Sequence, residues 1–215
     1  MGIKERHERE RERVRREILD AARKMFVAEG FGNVSVRKIG ESIEYSPSAV
    51  YGYFENKDEI FLTLAEEGFR MLSKMLVTPH SDDPLRDLRT SYWHYYEFSK
   101  RHPEYFALIF LERTLPTVRD KTRFTFLKDL KEQNDRALER CVEAGVFPAE
   151  TDTEQAGHVL WASVHGPAVI GVTWQQVTEA QADSLASNAL ETTLAGLRTG
   201  VPMRAPADRP VANAI

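Results

Sequence analysis

An all-α fold is what this sequence predicts, and three observations predict it. Apolar residues recur at helical spacing along nearly the whole chain. No segment sustains the two-residue alternation of a half-buried strand. Helix-start signals, such as Ser or Asp before Pro and Thr or Asn ahead of Gln or Glu, recur at intervals that suit about nine helices. The expected organisation is an N-terminal three-helix unit with a helix-turn-helix over residues 1–56, a larger C-terminal helical domain over 57–200, and a tail over 201–215.

Val14, Ile18, Ala22, Met25 and Phe26 share one face of a first helix, which Gly30 can terminate. Val36, Ile39 and Ile43 mark a short second helix with Ser35 as N-cap. Ser46 caps a third, spanning 46–53, with Pro47 in its first turn, where a missing N–H costs nothing. Asn56 with Glu59 starts a fourth helix carrying Ile60, Leu64, Phe69 and Leu72. A breaker-rich linker runs from Thr78 to Pro84. Asp83 with Pro84 opens a fifth helix bearing Leu85, Leu88, Tyr92 and Tyr96, and Pro103 begins a short apolar one through Phe110. Residues 117–144 read as one long helix with Phe124, Leu127, Leu130 and Leu138 inward. Two more helices are expected near 153–172 and 179–199, the latter opened by a capping box of Thr178 with Gln181. The Pro- and Ala-rich residues 201–215 are expected to be disordered.

The formal net charge is -4, which does not advertise a polyanionic partner. Its distribution says more. Residues 1–58 hold 12 Lys/Arg against 11 Asp/Glu, and the first 24 hold nine against six. One basic edge can neutralise phosphates on a protein that is acidic elsewhere, so composition permits nucleic-acid binding without arguing for it. The single cysteine, Cys141, excludes an internal disulfide framework and a multi-thiolate zinc site. His158 and His165 share a helix face, but two ligands without a third do not make a metal site. There is no phosphate-binding glycine loop and no nucleophile elbow. No enzyme activity, cofactor or metal is therefore expected. No stretch is long and apolar enough to span a bilayer, and the charged N-terminus lacks a secretory signal, so a cytoplasmic protein is expected.

The segment 35–53 carries the functional argument. Two short helices joined by a tight turn at Glu44-Tyr45 can hold the second helix clear of the domain, ready for a major groove. Its leading side chains, Ser46, Ser48 and Ala49, are small or hydroxylated, which allows close approach and hydrogen bonds to phosphates or bases. Tyr51 and Tyr53 can donate to phosphates, and Arg37 and Lys57 can neutralise them on either side. The same spacing also suits a helix pair inside a core, with Tyr51-Gly52-Tyr53-Phe54 packed away, and the residues alone leave both readings open. The run Lys4 to Arg16 alternates Arg and Glu. A solvated helix extension with Glu–Arg pairs is favoured over a basic arm, because the interleaved acids cancel much of the field.

Several spaced groups agree in register with one known family. Ile18-Leu19-Asp20-Ala21-Ala22, Phe26, Gly30-Phe31, Val36-Arg37-Lys38-Ile39-Gly40, Tyr45-Ser46, Val50-Tyr51-Gly52-Tyr53-Phe54 and Asn56-Lys57-Asp58-Glu59-Ile60 resemble the DNA-binding domain of the tetracycline-repressor (TetR) family of bacterial transcriptional regulators. The likeness covers roughly residues 14–64. It implies a ligand-responsive regulator, most often a repressor. Its DNA-facing positions would be Arg37, Ser46, Pro47, Ser48, Tyr51, Tyr53 and Lys57, on a palindromic operator in double-stranded DNA. It also implies a homodimer through the last two helices, with Ala156, Leu160, Val164, Leu185, Ala189, Leu190, Leu194 and Leu197 as suitable faces. Gly40, the turn pair Glu44-Tyr45 and the pair Ser48-Ala49 depart from the residues the family often has there. Gly52 is expected to weaken the recognition helix by up to about 1 kcal/mol. The alternative is a helical ligand-binding or interaction protein without specific DNA binding.

Residues 92–110 are dense in aromatics, most of them expected in the core. Trp161-Ala162-Ser163-Val164-His165-Gly166 looks like the Trp…His-Gly signature in the ligand domain of one subgroup of that family. A small, apolar or aromatic effector is expected near Trp93, Tyr96, Phe106, Phe110, Trp161 and His165.

Overall fold

The computed structural model describes residues 3–112 and 123–200. Among these residues there are nine α-helices, one short 3-10 turn and no strand. The helices are α1 (Ile3–Glu29), α2 (Val36–Ser42), α3 (Pro47–Tyr51), α4 (Lys57–Leu76), α5 (Pro84–Arg101), α6 (Pro103–Phe110), α7 (Phe126–Glu143), α8 (Thr153–Thr173) and α9 (Glu179–Arg198). The all-helical expectation holds. No helix among the described residues is long and apolar enough to cross a membrane.

The local signals act where they were expected. The Asn56 and Asp83 side chains accept from the backbone N–H groups of Glu59 and Arg86, at 2.9 and 3.0 Å. At the start of α9 both halves of the Thr178–Gln181 capping box are present. The helix extension favoured over Lys4 to Arg16 is present, and the main difference lies at the start of α7. The helix α1 runs about three turns upstream of its first buried residue, Val14. The helix expected over 117–144 begins only at Phe126. Of its expected first part, residues 117–122 lie outside the described residues. Arg123 to Thr125 form a turn, where Arg123 is tied to α4 through Glu59, Thr63 and Glu66. Leu138 is fully buried, but Phe124, Leu127 and Leu130 are half-buried. The tail 201–215 also lies outside the described residues.

The chain divides into two compact units, Met1–Lys74 with Phe98–Leu127, and Met75–Glu97 with Lys128–Ile215. In the first, Phe26, Phe31 and Phe61 meet with ring centroids 5.0 to 5.7 Å apart and join α1, the 3-10 turn and α4. Val36, Ile39, Val50 and Phe54 close this core from α2, α3 and the turn after it. The helix α6 is fastened to α1 and α4 by a polar chain. Arg23 donates to Glu104 at 2.7 Å and to the Tyr105 hydroxyl at 3.1 Å, Tyr105 donates to Glu67 at 2.8 Å, and Arg16 donates to both oxygens of Glu67. The backbone of Gly68 lets Tyr105 approach: a Cβ there would stand 3.1 Å from its ring.

In the second unit α8 packs on α9, burying Ala156, Leu160, Val164 and Ala168 with Ala182, Ala186, Leu190 and Leu194. Six of the eight residues expected at a two-fold face are thus buried inside one chain: Ala156, Leu160, Val164, Leu190, Leu194 and Leu197. Leu185 stays exposed and Ala189 half-exposed. Periodicity finds an apolar face but cannot say which neighbour covers it.

The buried carboxylate of Asp87 ties the linker to α5 and α7. It accepts from the Ser81 hydroxyl at 2.6 Å, the Ser81 backbone N–H at 2.8 Å and Arg140 at 3.1 Å. Burial pushes this carboxyl up, but the Ser81 and Arg140 donors outweigh it and hold it below the usual range. A carboxyl depressed in the folded state stabilises above its unfolded value, near pH ~4, and that contribution is lost as pH falls through the folded value. Asp87→Asn is expected to cost about 1–3 kcal/mol at neutral pH and to flatten the loss of stability on acidification. Urea melts at neutral pH and in acid measure both effects. An acid profile identical to wild type would assign the pH dependence elsewhere.

Candidate nucleic-acid interface

The helix pair α2–α3 is built by its ends. The Ser35 hydroxyl accepts from the Lys38 N–H at 3.2 Å and starts α2. Its exit is a Schellman turn: Tyr45 N–H donates to the Gly40 carbonyl at 2.9 Å and Glu44 N–H to the Glu41 carbonyl at 3.4 Å. Glu44 occupies the left-handed position with φ 62. The Tyr45 carbonyl then folds back over α2, 2.7 Å from where a Cβ on residue 40 would stand. Only a glycine accepts that approach, which explains Gly40. The Ser46 hydroxyl accepts from the Ala49 N–H at 3.2 Å, Pro47 opens α3, and the fully buried Val50 anchors it.

The face left in solvent is small and polar. Ser46, Ser48 and Tyr51 are exposed, Tyr51 by 54 %, while Pro47 and Ala49 are half-buried. The Ser46 and Ser48 hydroxyls share a hydrogen bond of 2.9 Å, so the two present one joint donor–acceptor group. Arg37 stands on the surface in an ion pair with Glu41 at 2.8 Å, and Lys38 pairs with Glu29. These pairs are exposed and contribute little to stability.

Three sequence expectations change in detail. The helix α3 spans Pro47–Tyr51 rather than 46–53, and Gly52 is its C-cap, so the interior-glycine cost does not apply. Lys57 is turned inward: its ammonium donates to the Phe31 carbonyl at 2.7 Å and lies 4.1 Å from the Phe31 ring centroid. Tyr53 is half-buried beneath the Arg11 guanidinium, 5.7 Å from the ring centroid. Arg11 was missed because its partner sits 42 residues away.

The six expected effector-site residues fall into separate groups. Phe106 and Phe110 belong to the first unit, 5.0 Å apart, with Phe69 against Phe110. In the second unit Trp93 lies 5.2 Å from Tyr96, whose hydroxyl donates to Asp183 at 2.8 Å. Trp161 stacks on His165 at 4.4 Å, and the Tyr95 hydroxyl lies 2.7 Å from His165 Nδ1. Burial raises the Tyr95 phenol and lowers the His165 imidazolium, so this pair is neutral at physiological pH. Tyr95, one of the aromatics between residues 92 and 110, is not among the six expected residues. Among the described residues, no group of three or more His, Cys, Asp or Glu could hold a metal ion.

These helices define a helix-turn-helix unit whose second helix is capped, anchored by the buried Val50 and open to solvent at Ser48 and Tyr51. Residues 18–64 match the family described as bacterial regulatory proteins, tetR family. The chain is 30% identical over 74 residues to the HTH-type transcriptional repressor AcnR of Corynebacterium diphtheriae, covering 34% of this chain and 39% of that one. It is 40% identical over 53 residues to the HTH-type transcriptional repressor Rv1474c of Mycobacterium tuberculosis, covering 25% and 28%. The matches thus span less than half of either relative. A solved SmeT–triclosan complex shares the fold, with a TM-score of 0.65, 23% identity, and coverage of 93% of this chain and 99% of that one.

The turn is testable by stability alone. Gly40→Ala is expected to lose about 1–3 kcal/mol through the clash with the Tyr45 carbonyl. Glu44→Gly is expected to gain about 0.5–1 kcal/mol, because relief of left-handed strain exceeds the added freedom of the unfolded chain. Denaturant melts of the two variants decide. A neutral Gly40→Ala would mean that the turn relaxes without cost.

Proposed function

We propose that this chain is a tetR-family transcriptional regulator, a repressor released from DNA by a small effector. The observation that supports it most is the α2–α3 pair: a tightly closed turn presenting Ser46, Ser48 and Tyr51 in solvent, within the segment that matches the family. In this reading α3 enters a major groove, the Ser46–Ser48 pair and Tyr51 hydrogen-bond to it, and Pro47 sets the entry. Arg37 exchanges Glu41 for phosphate, and Tyr53 borders the backbone. Lys57 acts by holding Phe31 in place. The two relatives named as repressors make repression the favoured direction.

The effector reading rests on the second unit. Tyr95, Trp161 and His165 combine aromatic faces with one neutral polar pair, which suits an apolar or aromatic molecule bearing a hydrogen-bonding group. SmeT, of like fold, was solved in complex with triclosan. Dimerisation would use the outer faces of α8 and α9, where Val159 and Leu185 are 44 % and 42 % exposed beside Ala162 and Gly166. A two-fold pair sets its α3 helices against major grooves about 34–36 Å apart, hence a palindromic operator.

Selection from a randomised duplex library tests the reading. The wild-type chain should enrich a palindrome, and Ser48→Ala with Tyr51→Ala should weaken binding to it by roughly tenfold or more, the weight of one or two lost hydrogen bonds. Failure to enrich any sequence favours a helical ligand-binding or interaction protein instead. Light scattering should show a dimer at micromolar concentration, and Val159→Arg with Leu185→Arg should yield the monomer. A dimer that survives both substitutions places the interface on another surface.

A further inference from the structure

The N-terminal extension of α1 carries charge in an ordered way that its composition hides. Lys4, His7, Arg11 and Arg15 follow the spacing i, i+3, i+7, i+11, and they continue the face that carries Val14, Ile18 and Ala22 into the core. The apolar stripe of α1 therefore becomes cationic where the helix leaves the core. The acids are mostly elsewhere. Arg13, on the far side, is paired with Glu10 and Glu17, and Arg9 donates to the Glu5 carbonyl at 3.2 Å. Glu8 lies beside the cationic row. Lys4, Arg11 and Arg15 carry no ion pair among the described residues.

Two contacts place this row next to α3. The Arg15 guanidinium lies 5.1 Å from the Phe54 ring centroid, and that of Arg11 lies 5.7 Å from that of Tyr53. Both rings belong to the segment leaving α3. The cationic face is thus continuous with the exposed rim of α3, and it is held on a preformed helix, so no arm has to be ordered on binding.

The geometry points to a second DNA contact: Lys4, Arg11 and their neighbours on this face hold the phosphates flanking the groove that receives α3. The inference rests on the reading of α3 as a recognition helix and adds an electrostatic clamp to it. It is a sequence-independent contact, so it governs affinity and salt dependence rather than operator choice.

The experiment measures affinity against salt on the duplex that the wild-type chain enriches from a randomised library. Each lost phosphate contact lowers the slope of log affinity against log salt by about 0.9. Lys4→Gln with Arg11→Gln should lower it by about 1–2, weaken binding severalfold at low salt, and leave the preferred sequence unchanged. Arg9→Gln, which removes one charge from the other side of the same helix, should leave the slope near wild type. All three substituted positions, Lys4, Arg9 and Arg11, are exposed, and far-UV circular dichroism confirms that the variants fold. An unchanged slope in the double variant overturns the clamp while the α3 reading stands. An equal loss in Arg9→Gln also overturns it, because the effect would then be one of net charge. A wild-type chain that enriches no duplex removes the α3 reading and the clamp with it.

Discussion

The exposed face of α3 depends on one close approach, that of the Tyr45 carbonyl to the backbone of Gly40. A side chain at residue 40 would push the turn off α2. With glycine there, Tyr45 N–H reaches the Gly40 carbonyl, Glu44 is forced into the left-handed region, and the chain leaves in the one direction that lets Ser46 cap α3. Val50 then fixes the rotation of α3, since burying it turns Ser48 and Tyr51 outward. A backbone contact thus sets where Ser46, Ser48 and Tyr51 stand. The strain at Glu44 is small against the burial of Val50, Ile39 and Val36, which hold the turn closed.

What the sequence made legible is what is encoded within a few residues. Helix α6 begins at Pro103 and α9 at a Thr178–Gln181 box because a first-turn proline and a capping box act only through neighbours. The α2–α3 pair was legible for the same reason, helped by agreement in register from Ile18 to Ile60. Long-range partners were not legible. Lys57 reads as a phosphate ligand until Phe31, 26 residues upstream, is seen to occupy it. The apolar faces of α8 and α9 read as a subunit interface, yet most of that surface is spent between the two helices. Phe106 and Trp161 read as one aromatic lining, yet they belong to different units. The Arg/Glu run reads as self-cancelling along the chain, and only its helical projection separates a cationic row from a paired one.

The first unit also depends on charge where the core gives way to polar groups. Glu67 accepts from Arg16 and Tyr105, and Arg23 bridges Tyr105 to Glu104. These groups are partly shielded from water, so each bond counts for more than a surface pair, and each is more costly to leave alone. Tyr105 sits between an acid and a base, and its hydroxyl serves both as donor and as acceptor. Phenylalanine there would fill the space but would sever the chain in the middle.

The attachment of α6 to α1 and α4 has a consequence for how the protein is made. The N-terminal body is complete only when residues 98–127 have been added to it. A fragment ending near Lys74 would leave Arg23 without Glu104, Phe31 without its bond to Glu112, and Phe69 without Phe110 and Phe124. During synthesis the contacts that α6 makes with α1 and α4 become available only once the chain has been extended past α5. The part of the molecule proposed to touch DNA is continuous, but the compact unit that carries it is assembled from two separate stretches of the chain.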